Sequence, residues 1–347
     1  MNVLITGNLG YVGPVLAKAL RTLPNVRLLG LDNAYFASCI TDPGEAVERL
    51  FDLQYYRDIR DACIEDFQGV DAIVHLAAIS NDPMGNYYTL PTCEINYGAT
   101  VKTAMLAKAA GVTKFIFASS CSVYGFSESG VCDESSPVNP LTEYARTKVL
   151  SERFLESLAD EHFQVTCFRF ATACGASPRL RLDLVLNDFV ASAITTGKIE
   201  ILSDGTPWRP LIDVKNMALA IKWALTVPCS VPYQLLNAGS DSWNFQIKEL
   251  AAIVAEGISG TEVCINPEGQ PDKRSYKVNF DAFAEKTGMD IPHMDIRRTI
   301  NELEASLRKT GFSDSNFRKS QYMRLNVLKK SEDDGLLDSS LRWRLMK

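Results

Sequence analysis

The chain has 347 residues, of which 46% are apolar, and its formal net charge is −6. This length and composition supply a large buried core and predict one large domain or two closely joined domains. An acidic chain without clustered lysines and arginines lacks the electrostatic footprint of a nucleic-acid-binding protein. No apolar run approaches the roughly 20 residues of a membrane helix.

The first half of the chain alternates short apolar runs with helical patterns. The apolar runs predict buried strands at Val3–Thr6, Val26–Asp32, Ala72–His75, Lys114–Ser119 and Val165–Phe170. The intervening segments predict helices at Pro14–Arg21, Asp58–Phe67, Ile95–Ala110 and Tyr144–Asp160. This alternation is typical of βαβ units and predicts an α/β fold with a Rossmann doubly wound parallel sheet.

The alternation loosens after about Ala176, where Pro, Gly and charged segments interleave with single predicted helices such as Leu182–Thr196 and Asn244–Glu256. We therefore predict a Rossmann domain over residues 1–175. A smaller α/β substrate domain is predicted over residues 176–347, with some of its segments returning to the first domain. The polar tail from Asn316 packs on its own chain or forms a subunit contact, and its sequence favours neither.

A glycine-rich turn joins the first predicted strand to the first helix. Its spacing is G-x-x-G-x-x-G, and it comprises Gly7, Leu9, Gly10, Tyr11, Val12 and Gly13 besides Asn8. Such a turn lets the backbone approach a pyrophosphate, which sits at the helix N-terminus where free N–H groups favour anions. The turn therefore predicts a dinucleotide site.

Asp32 ends the second predicted strand, 19 residues after Gly13. A carboxylate at this position accepts hydrogen bonds from the adenosine ribose and repels a 2′-phosphate, which predicts NAD rather than NADP. The neighbouring Asn33 is assigned to the same site. Asp52 and Leu53 follow the next apolar stretch and are predicted to border the adenine.

Tyr144 and Lys148 form a Y-x-x-x-K pattern in a predicted helix, so they share one helix face. A nearby ammonium group or nicotinamide cation lowers the pKa of a tyrosine, which can then act as a general base toward a hydroxyl or as a general acid toward a ketone. Ser119 and Ser120 end a predicted strand about 24 residues earlier, at the sheet edge where ligands of parallel sheets bind. A serine there can hydrogen-bond the same substrate oxygen.

Taken together and in order, these motifs resemble the NAD-dependent epimerase/dehydratase family, an extended branch of the short-chain dehydrogenases/reductases that acts on nucleotide sugars. The resemblance covers roughly residues 1–280. It rests on T-G-x-x-G-Y-V-G, Asp32, H-L-A-A at residues 75–78, Asn96, S-S-C-S-V-Y-G, Y-x-x-x-K and W-R-P-L-I-D-V. It implies that Tyr144 and Lys148 are catalytic with help from Ser120. It also implies that Asn96 organises the active site and that the cofactor is bordered by Leu76, Ala77 and Ala78.

The resemblance also implies a nucleoside-diphosphate sugar as the substrate. Arg209 matches a family arginine that contacts the diphosphate, and Arg274 resembles a second one; guanidinium forks suit phosphate oxygens. The further substrate candidates are Ser120, Cys121, Ser122, Thr172 and Asn187. Arg179 and Arg181 either bind another anionic group or are solvated.

The leading functional hypothesis is a nucleotide-sugar epimerase that works through a transient keto-sugar. A 4-ketoreductase or dehydrogenase would use the same residues. The usual acid and base of 4,6-dehydratases are replaced by Cys121 and Ser122, so a dehydratase would be atypical and would use the Cys121 thiol as an acid. The alternative to an enzyme is a non-catalytic protein that binds NAD as a sensor.

The remaining expectations concern assembly and location. The resemblance suggests a homodimer packed through Ile95–Ala110 and Tyr144–Asp160. The start of the chain shows no secretion signal, and its nine cysteines lack metal-like spacing. We therefore expect a cytoplasmic enzyme with free thiols and no metal site, nucleic-acid partner or membrane partner.

Overall fold

The computed structural model of the chain describes residues 1–41, 46–266, 268–269, 274–289 and 295–344. Its strands are β1 (Asn2–Thr6), β2 (Arg27–Asp32), β3 (Leu53–Tyr56), β4 (Ala72–His75), β5 (Lys114–Ser120), β6 (Phe126–Cys132), β7 (Gln164–Phe170), β8 (Thr172–Cys174), β9 (Lys198–Ile201), β10 (Trp208–Asp213), β11 (Tyr233–Ala238), β12 (Asn244–Gln246), β13 (Glu262–Ile265) and β14 (Ser275–Val278). Its α-helices are α1 (Gly13–Leu20), α2 (Asp82–Tyr87), α3 (Thr89–Cys93), α4 (Ala99–Ala109), α5 (Glu143–Leu158), α6 (Val185–Thr196), α7 (Val214–Thr226), α8 (Ile247–Gly257), α9 (Asp281–Thr287), α10 (Ile296–Lys309) and α11 (Arg324–Asp333).

A seven-stranded parallel sheet organises the molecule, with the strand order β11-β7-β5-β4-β1-β2-β3. The order reverses direction between β1 and β4, which is the topological switch point where ligands of doubly wound sheets bind. Apolar clusters fill both faces of the sheet. The predicted α/β fold with a Rossmann sheet is confirmed.

One predicted helix is wrong: residues 58–67 form two short 3₁₀ turns, at Ile59–Asp61 and Ile64–Phe67. Each turn has its own cap. The Asp58 carboxylate accepts a hydrogen bond from the N–H of Arg60, and the Asp66 carboxylate accepts one from the N–H of Cys63. These side-chain bonds compete with the helical ladder and divide the segment in two.

The observed structure at the start of two other predicted helices differs from the sequence prediction. The helix predicted at Ile95–Ala110 opens with a π-helical turn over Glu94–Gly98, before α4. The segment predicted as a helix from Asn244 opens instead with β12, which pairs with β10, and α8 starts at Ile247. π-Helical turns of this kind are frequent at functional sites.

A third apolar cluster lies beside the main sheet and is built largely from α6, α8 and α10. The later part of the chain also returns to the main sheet. β11 forms its edge beside β7, and Leu328, on α11 of the C-terminal tail, joins the core cluster on one sheet face. The tail therefore packs on its own chain, while the domain boundary at residue 175 remains a prediction.

None of the helices in the described ranges is long and apolar enough to cross a membrane.

Candidate active site

The glycine turn packs tightly against its surroundings. Gly7 has a φ of +70°, and a Cβ atom on it would lie 2.6 Å from the backbone nitrogen of Ala77. A Cβ atom on Gly13 would lie 2.1 Å from the carbonyl oxygen of Asn8. Only glycine allows these approaches, and they bring the N-terminus of α1 to the switch point of the sheet.

A cavity of about 720 Å³ begins at this turn and extends over the carboxyl ends of the central strands. Its volume is within the usual range for small-molecule and cofactor sites. Seventeen of the predicted site residues line it: Gly7, Gly10, Tyr11, Val12, Asp32, Asn33, Leu76, Ala77, Ala78, Ser119, Ser120, Ser122, Tyr144, Lys148, Thr172, Arg209 and Arg274. Leu9 and Gly13 belong to the turn but lie behind the cavity wall.

Asp32 lies at the end of the cavity beside the glycine turn. Its carboxylate accepts hydrogen bonds from the N–H groups of Leu9, at 3.1 Å, and Ala34, at 2.7 Å. Burial raises the pKa of this carboxyl, and the two N–H groups oppose that rise. These bonds fix the carboxylate at the tip of β2, where a ribose can reach it.

The predicted role of Asp52 and Leu53 at the adenine is not supported, because neither residue lines the cavity. The Asp52 carboxylate pairs with Arg21 at 2.9 Å and accepts a hydrogen bond from the N–H of Leu28 at 2.7 Å. Leu53 is exposed at the start of β3. Asp52 instead ties α1 to β2.

Ser120, Tyr144 and Lys148 meet at the carboxyl edge of the sheet. Thr142 caps α5 by accepting a hydrogen bond from the N–H of Ala145, which starts the helix just before Tyr144. Lys148 lies one turn later, and its Nζ is 5.6 Å from the centre of the tyrosine ring. The same Nζ donates a hydrogen bond of 2.7 Å to the carbonyl oxygen of Ala118 in β5.

Burial dominates the electrostatics of this group. It raises the pKa of Tyr144 to about 12, a rise that a hydrogen bond with Ser120 opposes. Burial lowers the pKa of Lys148 to about 8, against the opposing charge of Glu152. The phenol is therefore protonated at neutral pH, and an added positive charge beside it is needed before it can act as a base.

A buried ion pair links α5 to the main sheet. Arg169 on β7 pairs with Glu152 on α5 at 2.8 Å, and Ser119 on β5 donates a short hydrogen bond to the same carboxylate. Both members of the pair are at least nine-tenths buried. The pair fixes α5, which carries Tyr144 and Lys148, against β7, and the Ser119 hydrogen bond fixes it against β5, which carries Ser120.

Asn96 lies in the π-helical turn and is buried behind the cavity wall. Its amide accepts a hydrogen bond of 2.8 Å from the N–H of Ile79 and donates one of 3.0 Å to the carbonyl oxygen of Ile79. It also donates to the hydroxyl of Thr147 on α5, at 3.3 Å. Asn96 thus positions cavity-lining segments without lining the cavity itself.

Arg209 and Arg274 converge at the other end of the cavity. The Arg209 guanidinium donates a short hydrogen bond to the carbonyl oxygen of Arg274, and the Arg274 guanidinium pairs with Asp82. Thr172, at the start of β8, also lines the cavity. Ser122 has a buried hydroxyl with no hydrogen-bond partner among the described residues.

Two of the predicted substrate contacts lie outside the cavity. Cys121 is buried in a core cluster, where its thiol donates to the carbonyl oxygen of Arg169 at 3.1 Å and burial raises its pKa. Asn187 is also buried, and its amide bonds Gly175 and Tyr11. Neither side chain is placed to touch a substrate, because each is used in internal packing.

The cavity is also lined by residues that the sequence does not assign to the site. Arg181 pairs with Asp183 at 2.8 Å and donates to the hydroxyl of Ser80, and all three residues line the cavity. Arg179 is buried and paired with Glu48, so neither arginine is solvated. The remaining lining residues include Tyr35, Phe36 and Arg324. The sequence offers Arg179 and Arg181 as anion-binding or solvated arginines, but no local motif indicates Arg324.

The residues that line the cavity suit the binding of NAD. The glycine turn offers a helix N-terminus to phosphates, and Asp32 offers a carboxylate to a ribose. Two buried polar atoms of cavity-lining residues, Ser122 Oγ and Arg324 Nη1, lack hydrogen-bond partners among the described residues. Buried polar atoms usually have a partner, so these two point to a bound molecule.

The fold and the site together define a dinucleotide-dependent enzyme of the doubly wound α/β class. A family model described as the NAD dependent epimerase/dehydratase family matches residues 3–239. The chain therefore belongs to this family, as its motifs predict, and its cofactor is NAD.

The chain is similar to both epimerases and dehydratases. It is 27% identical over 301 residues to a UDP-glucose 4-epimerase of Bacillus subtilis, covering 76% of this chain and 84% of the relative. It is 26% identical over 276 residues to a dTDP-D-glucose 4,6-dehydratase of Mus musculus, covering 75% of each. Among solved structures, a UDP-N-acetylglucosamine 4-epimerase from Methanobrevibacter ruminantium M1 shares the fold, with a TM-score of 0.76, 21% identity and coverage of 89% and 98%.

Proposed function

We propose that this enzyme is a nucleotide-sugar epimerase that works through a transient keto-sugar. The observation that carries the proposal is the combination of residues on one cavity. Ser120, Tyr144 and Lys148 line its catalytic part, while Arg209 and Arg274 supply guanidinium groups for a diphosphate. The named relatives that act on UDP-glucose and dTDP-glucose support a nucleoside-diphosphate sugar as the substrate.

The protein's own residues have distinct roles in this mechanism. Tyr144 takes a proton from a ring hydroxyl and returns it after the sugar has turned over. Ser120 holds the reacting oxygen. Lys148, whose ammonium lies 5.6 Å from the centre of the Tyr144 ring, favours the phenolate together with the positive charge that a bound cofactor would add. NAD, held by the glycine turn and Asp32, would supply the hydride acceptor for oxidation of the sugar and the hydride donor for reduction of the keto-sugar from its opposite face.

A 4-ketoreductase or dehydrogenase is the second candidate, because it needs the same three catalytic residues. An atypical dehydratase is less well supported. Its proton donor would be Cys121, whose thiol is buried in the core and hydrogen-bonded to a backbone carbonyl. A thiol with a raised pKa and no access to the cavity is a poor acid for water elimination.

We also propose a cytoplasmic homodimer. Met105, on α4 in the predicted interface segment Ile95–Ala110, is an exposed hydrophobic residue. Sedimentation analysis at micromolar concentration tests this assembly, and a monomer would contradict it.

The first experiment is to purify the protein without added cofactor, denature it and identify any released nicotinamide nucleotide by chromatography. An epimerase keeps its cofactor between two hydride steps, so near-stoichiometric NAD is expected. Empty protein that binds NADH reversibly would favour the ketoreductase. A preference for NADPH would contradict the role of Asp32.

A further inference from the structure

The C-terminal segment after residue 320 lies against the segment that follows β2. The Cys39 thiol donates to the carbonyl oxygen of Gln321 at 2.9 Å, and the Trp343 indole donates to that of Asn33 at 2.7 Å. Tyr35 donates a short hydrogen bond to the carbonyl oxygen of Leu341. The tail therefore covers the chain beside Asp32, at the adenosine end of the cavity.

Arg324, the first residue of α11, brings a positive charge into this part of the cavity. It lines the cavity and is only 2% exposed. Its guanidinium carbon lies 4.2 Å from the centre of the Phe36 ring, and its Nη2 donates to the carbonyl oxygen of Arg179 at 3.1 Å. Stacking on an aromatic face and one carbonyl hold the guanidinium plane in place.

The same guanidinium is incompletely satisfied. Among the residues that the structure describes, its Nη1 has no hydrogen-bond partner and no carboxylate lies within ion-pair distance of it. Asp183 is already paired with Arg181, and Asp32 accepts from backbone N–H groups. Burial lowers the pKa of Arg324, as expected for a charge that lacks a full set of partners. Leaving such a group uncompensated is costly, so a ligand that supplies acceptors would be strongly favoured.

The position of Arg324 along the cavity indicates which part of the ligand it meets. The guanidinium stacks on Phe36, in the segment that follows Asp32 at the adenosine end, and donates to the carbonyl oxygen of Arg179, two residues before Arg181. Arg181 in turn interacts with Tyr144, at the catalytic end. Arg324 therefore lies between the two ends, and the group that joins the two halves of a dinucleotide is its diphosphate.

We infer that Arg324 is a further cofactor-binding residue, whose guanidinium donates to the phosphate oxygens of NAD from the C-terminal segment. The inference requires NAD binding only and does not depend on the epimerase reaction.

The test compares the full-length wild type with Arg324→Met, Arg324→Lys and Arg342→Ala, after charcoal treatment to remove bound nucleotide. Methionine keeps an unbranched apolar chain against Phe36 without the charge. Arg342 is the matched control, because it belongs to the same segment but pairs with Asp61 at the surface. Calorimetric titration with NAD⁺ and with NADP⁺ gives the dissociation constants.

We expect Arg324→Met to weaken NAD⁺ binding about 10- to 100-fold, the loss typical of a charge-assisted hydrogen bond. Arg324→Lys should recover part of this loss, and Arg342→Ala should bind within about twofold of the wild type. The Tm of cofactor-free Arg324→Met should equal or exceed that of the wild type, because a buried, poorly paired charge has been removed.

Three results would overturn the inference. In the first, Arg324→Met binds NAD⁺ as tightly as the wild type. In the second, its cofactor-free Tm falls and Arg324→Lys restores the Tm but not the affinity, which indicates a purely structural role. In the third, only NADP⁺ binding is weakened, which assigns the guanidinium to a 2′-phosphate. Failure of the wild type to bind NAD⁺ would instead contradict the cofactor assignment.

Discussion

The two ends of the cavity differ in how their polar groups are satisfied. At the catalytic end, Lys148 bonds the carbonyl of Ala118, and Glu152 is held by Arg169 and Ser119. Toward the adenosine end, Arg324 has a buried nitrogen with no hydrogen-bond partner among the residues that the structure describes. Lys148 and Glu152 are therefore held by protein groups alone, whereas the Arg324 guanidinium, like the Ser122 hydroxyl, has room for a ligand contact.

The largest effect is expected from removing the catalytic hydroxyl. Tyr144→Phe should lower kcat about 1,000-fold, because general acid–base catalysis is worth roughly 10²- to 10⁴-fold. Bound NAD and Tm should stay at wild-type values, since the catalytic end needs no ligand to form. Steady-state kinetics, released NAD and calorimetry measure the three quantities.

Tyr87→Phe is the matched control, since this tyrosine is exposed on α2. Turnover by Tyr144→Phe within tenfold of the wild type would remove Tyr144 from the mechanism.

Breaking the hydrogen-bonded network around Glu152 should lower the stability of the protein strongly. Glu152→Ala leaves Arg169 buried without its partner and should lower the free energy of unfolding by about 3–5 kcal/mol. Urea denaturation measures the change.

Glu256→Ala removes a surface pair with Arg297 and should cost no more than about 1 kcal/mol. Equal losses in the two variants would contradict the picture of a rigid catalytic end.

The sequence predicts the residues at one end of the cavity better than those at the other. The catalytic residues lie within short motifs on regular elements, so spacing and strand position locate them together. Arg324 reaches the cavity from nearly 300 residues beyond Asp32, and no local pattern predicts that contact. Cys121 lies inside a motif, yet the pattern does not show that its side chain points into the core.

The fold shows the same limit. Buried strands with continuous apolar runs were placed to within one or two residues, because burial on both faces dominates their sequence. The helix predicted at residues 58–67 fails because Asp58 and Asp66 bond nearby backbone N–H groups. Hydrophobic periodicity does not predict such hydrogen bonds between side chains and the backbone.

A pH effect is expected from His75, the buried last residue of β4 in the middle of the sheet. Its ring bonds the hydroxyls of Thr6 and Thr100, each at 2.9 Å, and burial lowers its pKa to about 3. The unfolded chain protonates this histidine near its ordinary pKa of 6.5, while the folded chain does not. Stability should therefore fall as the pH drops from 6.5 toward 3, by at most about 1.4 kcal/mol per pH unit for the one proton.

Unfolding free energies of the wild type and of His75→Gln between pH 7 and pH 5 measure this slope. The variant should lose the His75 part of it, while the exposed His162→Gln control should keep it. Parallel pH dependences of His75→Gln and the wild type would show that His75 is not held neutral.

The smallest effect is expected at Cys121. Cys121→Ala should keep kcat within about twofold of the wild type and cost about 1 kcal/mol of stability, because the thiol fills core space and does not line the cavity. A loss of more than tenfold in kcat, with NAD still bound, would place the thiol in the reaction and support the dehydratase.

The most direct test of the central claim is to incubate the purified protein, with no added cofactor, with a panel of UDP- and dTDP-sugars and to follow the products by NMR. If the protein is an epimerase, one sugar nucleotide should reach an equilibrium mixture of two epimers without net reduction of NAD. A 4-keto-6-deoxy product, or turnover that requires added NADH or NADPH, would contradict it.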